Sequence, residues 1–159
     1  METPAARRVV PKIAEALNFC RDVGIKIIYT AHVHRRDGCD MGLFDDLHPP
    51  IANRDALVDG TPGVEIYPEL RPQPGEHVIK KHRYSGFFGT DLDIILREWG
   101  VDTVIISGTT TENCCHATAR DAMFAITESF FFLTPRRRMT TQIGDLGRCQ
   151  MPKFTTQPS

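Results

Sequence analysis

The sequence predicts an α/β fold built on a parallel sheet with flanking helices. Strand-like apolar runs alternate with segments of helical period across short connections, the pattern left by parallel strands and crossover helices. The run at 101–107 is β-branched, apolar and continuous, as in a parallel strand covered on both faces. A chain of 159 residues, 41% hydrophobic and 25% charged, is long enough for one such core.

The first element is a helix. Pro11 stands where an early helical residue needs no N–H partner, and Ile13, Ala14, Leu17 and Cys20 follow at helical spacing. Gly24 closes this helix, and residues 25–29 read as a short buried strand. Residues 30–73 are polar and turn-rich, with Asp37-Gly38, Pro49-Pro50, Asp59-Gly60 and Pro62-Gly63. A connection of that length in a compact domain is a functional lid or wall, or holds elements without a readable period. Residues 77–81 are the second strand candidate. Thr90 reads as an N-cap with Asp93 reaching back, opening a helix that buries Leu92, Ile95, Leu96 and Trp99 and stops at Gly100. The strand at 101–107 runs into Gly108-Thr109-Thr110-Thr111-Glu112-Asn113, then a helix over 114–126 and a strand over 130–133. After Thr134-Pro135 the period is lost. Residues 1–134 are therefore read as the folded domain and 135–159 as an irregular or disordered basic tail.

Composition narrows the function classes. No apolar run approaches the ~20 residues that cross a bilayer, and the first residues lack a signal-peptide apolar stretch. A formal net charge of −1 gives no field for nucleic acid or an anionic membrane. The charge is nonetheless split: the basic Arg136, Arg137, Arg138, Arg148 and Lys153 lie in the tail with the single acid Asp145. Three adjacent arginines are too short a run for a nucleic-acid patch. Cys20, Cys39, Cys114, Cys115 and Cys149 form no Cys-x-x-Cys pair. That argues against a disulfide scaffold or a four-cysteine zinc site and for a reducing, cytoplasmic setting.

Chemistry is expected at Cys114. It lies where a buried parallel strand meets a helix, and open α/β sheets bind ligands at the carboxyl ends of their strands. A thiol there faces helix-end N–H groups, which favour thiolate and can hold an oxyanion. The alternative is a small packing cysteine, the more natural reading of Cys115. A thiolate nucleophile needs a cation, which Lys81 supplies if its strand joins the same sheet; otherwise Lys81 is one more solvated lysine. Arg83, Tyr84 and Ser85 follow on a loop with Gly86 and Gly89 and could line a pocket. His32 and His34, two apart, face one side of a strand end. Two ligands are too few for a metal without a third, so packing or substrate contact is favoured. The acids from Asp40 to Asp46 read as a solvated loop.

Gly108-x-x-Thr111-x-x-Cys114 followed by Thr118-Ala119-Arg120-Asp121-Ala122 resembles the nucleophile motif of the isochorismatase-like cysteine hydrolases. The segment Lys81-His82-Arg83-Tyr84-Ser85-Gly86-Phe87-Phe88-Gly89-Thr90-Asp91-Leu92 is similar to that family's lysine segment, and Tyr29-Thr30 with His32 and His34 resembles the end of its second strand. The resemblance runs from about Val9 to Leu133 and implies a Rossmann-like doubly wound sheet of order 3-2-1-4-5-6. It also implies Cys114 as nucleophile, Lys81 as its charged partner, and a cis peptide between Thr109 and Thr110. The N–H groups of Thr110 and Cys114 would form the oxyanion hole, with His32, His34, Arg83, Tyr84 and Thr111 at the substrate.

The family's base is an aspartate on a first strand ahead of the first helix. Residues 1–8 hold neither, and Pro135 and the arginines replace the family's later elements. A fold incomplete at both ends and open in mid-sheet is therefore expected. The activity implied is hydrolysis of small non-peptide amide, carbamoyl or ureido C–N bonds through a thioester-type intermediate, impaired without the aspartate. The alternatives are an inactive homologue acting as a binding or oligomerisation module, or an isochorismatase cleaving a vinyl ether. No cofactor and no metal are implied. The expected partners are a small-molecule substrate and further copies of the chain, with neither nucleic acid nor membrane.

Overall fold

The computed structural model describes residues 4–125 and 129–133, so the expected tail at 135–159 lies outside the described residues. In chain order the elements are α1 (Pro4–Arg7), α2 (Val10–Asp22), β1 (Ile28–His32), α3 (Phe44–Leu47), α4 (Pro49–Ala52), β2 (His77–Lys81), α5 (Leu92–Glu98), β3 (Thr103–Ser107), α6 (His116–Ala125) and β4 (Ser129–Leu133). β1 pairs in parallel with β2, placing Ile28 opposite His77 and His32 opposite Lys81. β3 pairs in parallel with β4, from Thr103 opposite Ser129 to Ser107 opposite Leu133. The expected α/β architecture with parallel strands and flanking helices is present. Its sheet is divided, because β1 and β3 share no ladder and two two-stranded ribbons result.

Gly24 ends α2 as expected. Its φ of +75° belongs to the left-handed region, and the turn lets the Ile25 N–H donate to Cys20 O at 2.8 Å. That cap takes residue 25 into the helix terminus. The strand expected at 25–29 consequently starts at Ile28 and ends at His32, so His32 is its last paired residue.

Two clusters form the interior. Ile79, Leu92 and Leu96 pack with Ile28, Phe87, Ile95, Val101 and Val104, so α5 fastens the first ribbon to β3. Met41, Phe44 and Ile51 pack with Ala56, Leu57 and Tyr84, giving the long connection a small core of its own. That connection is ordered by α3, α4 and an isolated parallel bridge between His34 and Val58. Short elements of four residues leave no hydrophobic period to read.

Two local expectations are corrected. The residue capping α5 is Asp91, not Thr90. The Thr90 hydroxyl donates to Gly86 O yet still accepts the Leu92 N–H at 3.2 Å, while Asp93 turns outward to Arg97 Nε at 2.9 Å. Leu92 and Leu96 are buried, but Ile95 and Trp99 are only half-buried. β3 is not covered on both faces: Val104 and Ile106 are half-buried and Ile105 is 46% exposed. Its β-branched run reflects strand propensity, while only one of its faces meets α5. Among the described residues no helix is long and apolar enough to cross a membrane.

Candidate active site

Lys81 closes β2, and its side chain lies inside the molecule at 2% exposure. β3 leads through Gly108 and a cis Thr109–Thr110 peptide into a π-helical turn, Thr111–Cys115. The helix expected from 114 therefore begins as an α-helix only at His116. In the wider turn the Cys115 N–H donates to Thr110 O at 3.2 Å, five residues back. The two adjacent cysteines consequently diverge. Cys115 is buried, and burial first, then the neighbouring Cys114, pushes its thiol up to about 11. Cys114 is half-buried and its Sγ lies 3.4 Å from Lys81 Nζ, which also donates to Arg83 O at 2.9 Å. Burial depresses the Lys81 pKa, and the adjacent Cys114 sulfur opposes that shift.

The two motifs carrying this pair are sewn together. Thr118 Oγ1 donates to Cys114 O at 2.6 Å and accepts the Gly86 N–H at 2.9 Å. Side chains of Thr30, Leu92 and Thr118 would each lie 3.3 Å from a Cβ at residue 86, so only glycine lets the loop pass without displacing them. The lysine loop and the cysteine turn are thereby held in one geometry.

His32 stands beside Lys81 in register, with ring centroids 5.0 Å from His34, 5.6 Å from Phe44 and 6.3 Å from Tyr84. Burial, then the Lys81 charge, lowers its pKa to about 3, so the ring is neutral near pH 7. Native His32 therefore binds fewer protons than unfolded His32 between about pH 3 and the ordinary value of 6.5. Its contribution to stability is present above pH 6.5 and is lost as the pH falls towards 3. The unfolding midpoint should thus drop less steeply over this range in His32→Leu than in the unaltered chain, as read by thermal melts across pH.

The long connection covers this end of the ribbon. His48 lies on it between α3 and α4, with Nε2 2.8 Å from Tyr84 Oη. Arg83 donates to Asp40 O at 2.8 Å and to His82 O at 2.6 Å, and its guanidinium lies 5.4 Å from the Phe44 ring centre. Arg83 and Tyr84 thus meet the connection, while Thr111 is exposed in the π turn.

The two histidines that sequence pairs lie side by side, ring centroids 5.0 Å apart, but meet different partners. His32 goes with Lys81, whereas His34 is completely buried against Asp40 Oδ2 at 3.4 Å. Asp40 Oδ2 is also 2.8 Å from His82 Nδ1, and Asp40 Oδ1 accepts the Arg35 N–H at 3.0 Å. Asp40 is therefore no solvated acid: the Asp37-Gly38 turn folds it back under the strand end. One ligand-type atom each from His34, Asp40 and His82 lie within 4.8 Å of one another, the arrangement in the described residues that could accept a cation. His82 Nδ1 is hydrogen-bonded to Val33 O at 2.8 Å, so the cluster also serves as a tie for the loop. Asp40→Asn should cost about 1 kcal/mol or less of stability in denaturant unfolding, by removing the carboxylate charge 3.4 Å from His34 Nδ1 and 2.8 Å from His82 Nδ1. Asp40, His48 and His82 were not legible as site neighbours, since only the fold of the connection brings them there.

The isochorismatase domain family model matches residues 1–125. The chain is 30% identical over 129 residues to ureidoacrylate amidohydrolase RutB of Rhizobium rhizogenes, covering 74% of this chain and 52% of that protein. It is 30% identical over 145 residues to N-carbamoylsarcosine amidase of an Arthrobacter species, covering 88% and 52% respectively. A cysteine hydrolase from Pseudomonas syringae pv. phaseolicola superposes with a TM-score of 0.76 at 35% identity, covering 82% of this chain and 60% of that structure. The chain thus spans about half the length of these curated relatives. With the family model covering most of its length, and with a parallel α/β frame in common, the chain belongs to the isochorismatase-like family.

Proposed function

We propose that the chain is a cysteine hydrolase of small amide, carbamoyl or ureido C–N bonds. The observation that carries this reading is the Lys81 ammonium 3.4 Å from Cys114 Sγ at the carboxyl ends of parallel strands. A buried ammonium there stabilises negative charge on sulfur as it becomes a nucleophile. Sulfur adds to the carbonyl carbon, and the C–N bond breaks as nitrogen leaves with the proton given up by the thiol. Water then adds to the acyl-sulfur carbon, the C–S bond breaks and sulfur regains a proton. The N–H groups of Thr110 and Cys114 hold the carbonyl oxygen in this scheme. The similar proteins named as ureidoacrylate amidohydrolase and N-carbamoylsarcosine amidase support carbamoyl and ureido substrates.

A second reading, an inactive homologue that binds without turnover, is favoured by one observation. Among the described residues no carboxylate pairs with Lys81, whose partners are Arg83 O and Cys114 Sγ. A missing general base typically costs ~10²–10⁴ in rate. Ammonia release from a panel of primary amides and ureido acids separates the readings. Repeated turnover supports the hydrolase, one equivalent of ammonia marks a stalled acyl-enzyme, and none from any member removes the hydrolase reading. Self-association is part of the proposal, supported by Phe88, Ile94 and Phe124, which are 66%, 70% and 83% exposed.

A further inference from the structure

The divided sheet does not itself align Lys81 with Cys114. Lys81 closes a strand of the first ribbon and Cys114 follows the second, and no ladder joins β1 to β3. Backbone pairing therefore does not set the distance between ammonium and sulfur. Packing of α5 against both ribbons brings them together, but apolar contact is non-directional and tolerates sliding. Among the described residues, two hydrogen bonds cross from the lysine loop to the cysteine turn and α6. One is the contact of Lys81 Nζ with Cys114 Sγ itself, at 3.4 Å. The other runs from the Gly86 N–H to Thr118 Oγ1 at 2.9 Å.

The Thr118 hydroxyl can be bonded in one sense only. It also reaches Cys114 O, four residues back, at 2.6 Å. A carbonyl only accepts and an N–H only donates, so the hydroxyl proton goes to Cys114 O and a lone pair receives the Gly86 N–H. One oxygen thus joins the carbonyl of the nucleophile's own residue to the lysine loop. The Gly86 peptide is held at its other end too, since its carbonyl accepts the Thr90 hydroxyl. Gly86 is buried, so without Thr118 its N–H would lose its partner and the loop carrying Lys81 would shift to regain one. Resting on the hydrolase reading above for its role in turnover, we infer that Thr118 is a positioning residue. Its hydroxyl fixes the Lys81 ammonium against the Cys114 sulfur across the divided sheet and so sets the reactivity of the nucleophile. It bonds to neither the sulfur nor the ammonium and acts through Lys81.

The test measures alkylation of Cys114 by iodoacetamide at pH 7.5, normalised to the exposed Cys39 of the same molecule. It compares the full chain with Thr118→Val, Thr118→Ser, Lys81→Met and the double variant that combines Thr118→Val with Lys81→Met. Valine keeps the branched shape without the hydroxyl, and serine restores the hydroxyl. The expected result is a fall of roughly 3–10-fold in Thr118→Val, no larger than the fall on removing Lys81, with Thr118→Ser within about twofold of the unaltered chain. In the Lys81→Met background the valine substitution should change the rate by less than about twofold, because the group it positions is gone. A merely structural role would act alike in both backgrounds. Circular dichroism selects folded preparations, and Thr118→Ala replaces the valine variant if that is insoluble. An unaltered rate in folded Thr118→Val, or an equal effect in both backgrounds, overturns this inference alone. An unaltered chain that releases no ammonia from the amide and ureido panel overturns the hydrolase reading, and the alkylation rates still decide the role of Thr118.

Discussion

Cys114→Ala is expected to abolish ammonia release, with a loss of roughly 10⁴-fold or more wherever the unaltered chain turns over. The size of the effect follows from the chemistry. A nucleophile that forms a covalent intermediate splits one hard step into two easier ones, and no neighbouring group can substitute for it. Cys115 is no replacement despite its adjacency. It is buried, and its thiol is held up at about 11. The fold should survive the change, since Cys114 is only half-buried and its carbonyl still accepts from Thr118 Oγ1. Mass spectrometry after incubation with substrate provides the companion check: an acyl adduct forms on the unaltered chain and none on Cys114→Ala.

Lys81→Met should lower kcat by about 10²–10³, the usual cost of removing one preorganised charge or donor from a developing anion. KM should move much less, because the ammonium faces the sulfur. The variant also separates catalysis from stability. Lys81 is a desolvated cation whose pKa burial depresses, so the native state disfavours its charged form relative to the unfolded chain. By linkage that unfavourable contribution operates at neutral pH and is relieved as the pH rises through the depressed value towards 10.5. Methionine removes it. A variant crippled in turnover with an undiminished melting midpoint at pH 7 is therefore expected, and a calorimetric scan beside the rate assay checks both halves.

What could be read in advance was whatever depends on short stretches of chain. The strand at 77–81 has the bounds of β2, Gly24 ends its helix, and the α/β alternation is present in order. The Lys81 and Cys114 motifs each end or follow a strand, and the two side chains meet at 3.4 Å although their ribbons share no ladder. Contacts that cross the long connection were not readable. Asp40 looked like one acid among several until the Asp37-Gly38 turn brought it beneath His34 and His82. His32 and His34 share a face by period, yet the β1–β2 register gives one to Lys81 and the other to Asp40. Ile105 is exposed for a related reason: propensity specifies a strand, and only the neighbours decide whether both its faces are covered.

The central claim is that the Lys81 ammonium makes the Cys114 sulfur reactive. It is tested most directly by the rate at which iodoacetamide alkylates Cys114 at pH 7.5, followed by peptide mass spectrometry and normalised to the exposed Cys39 of the same molecule. Cys114 in Lys81→Met should be alkylated at least ~10-fold more slowly than in the unaltered chain, since the thiolate is the reacting form and loses its counter-charge. Equal normalised rates in the two proteins would contradict it.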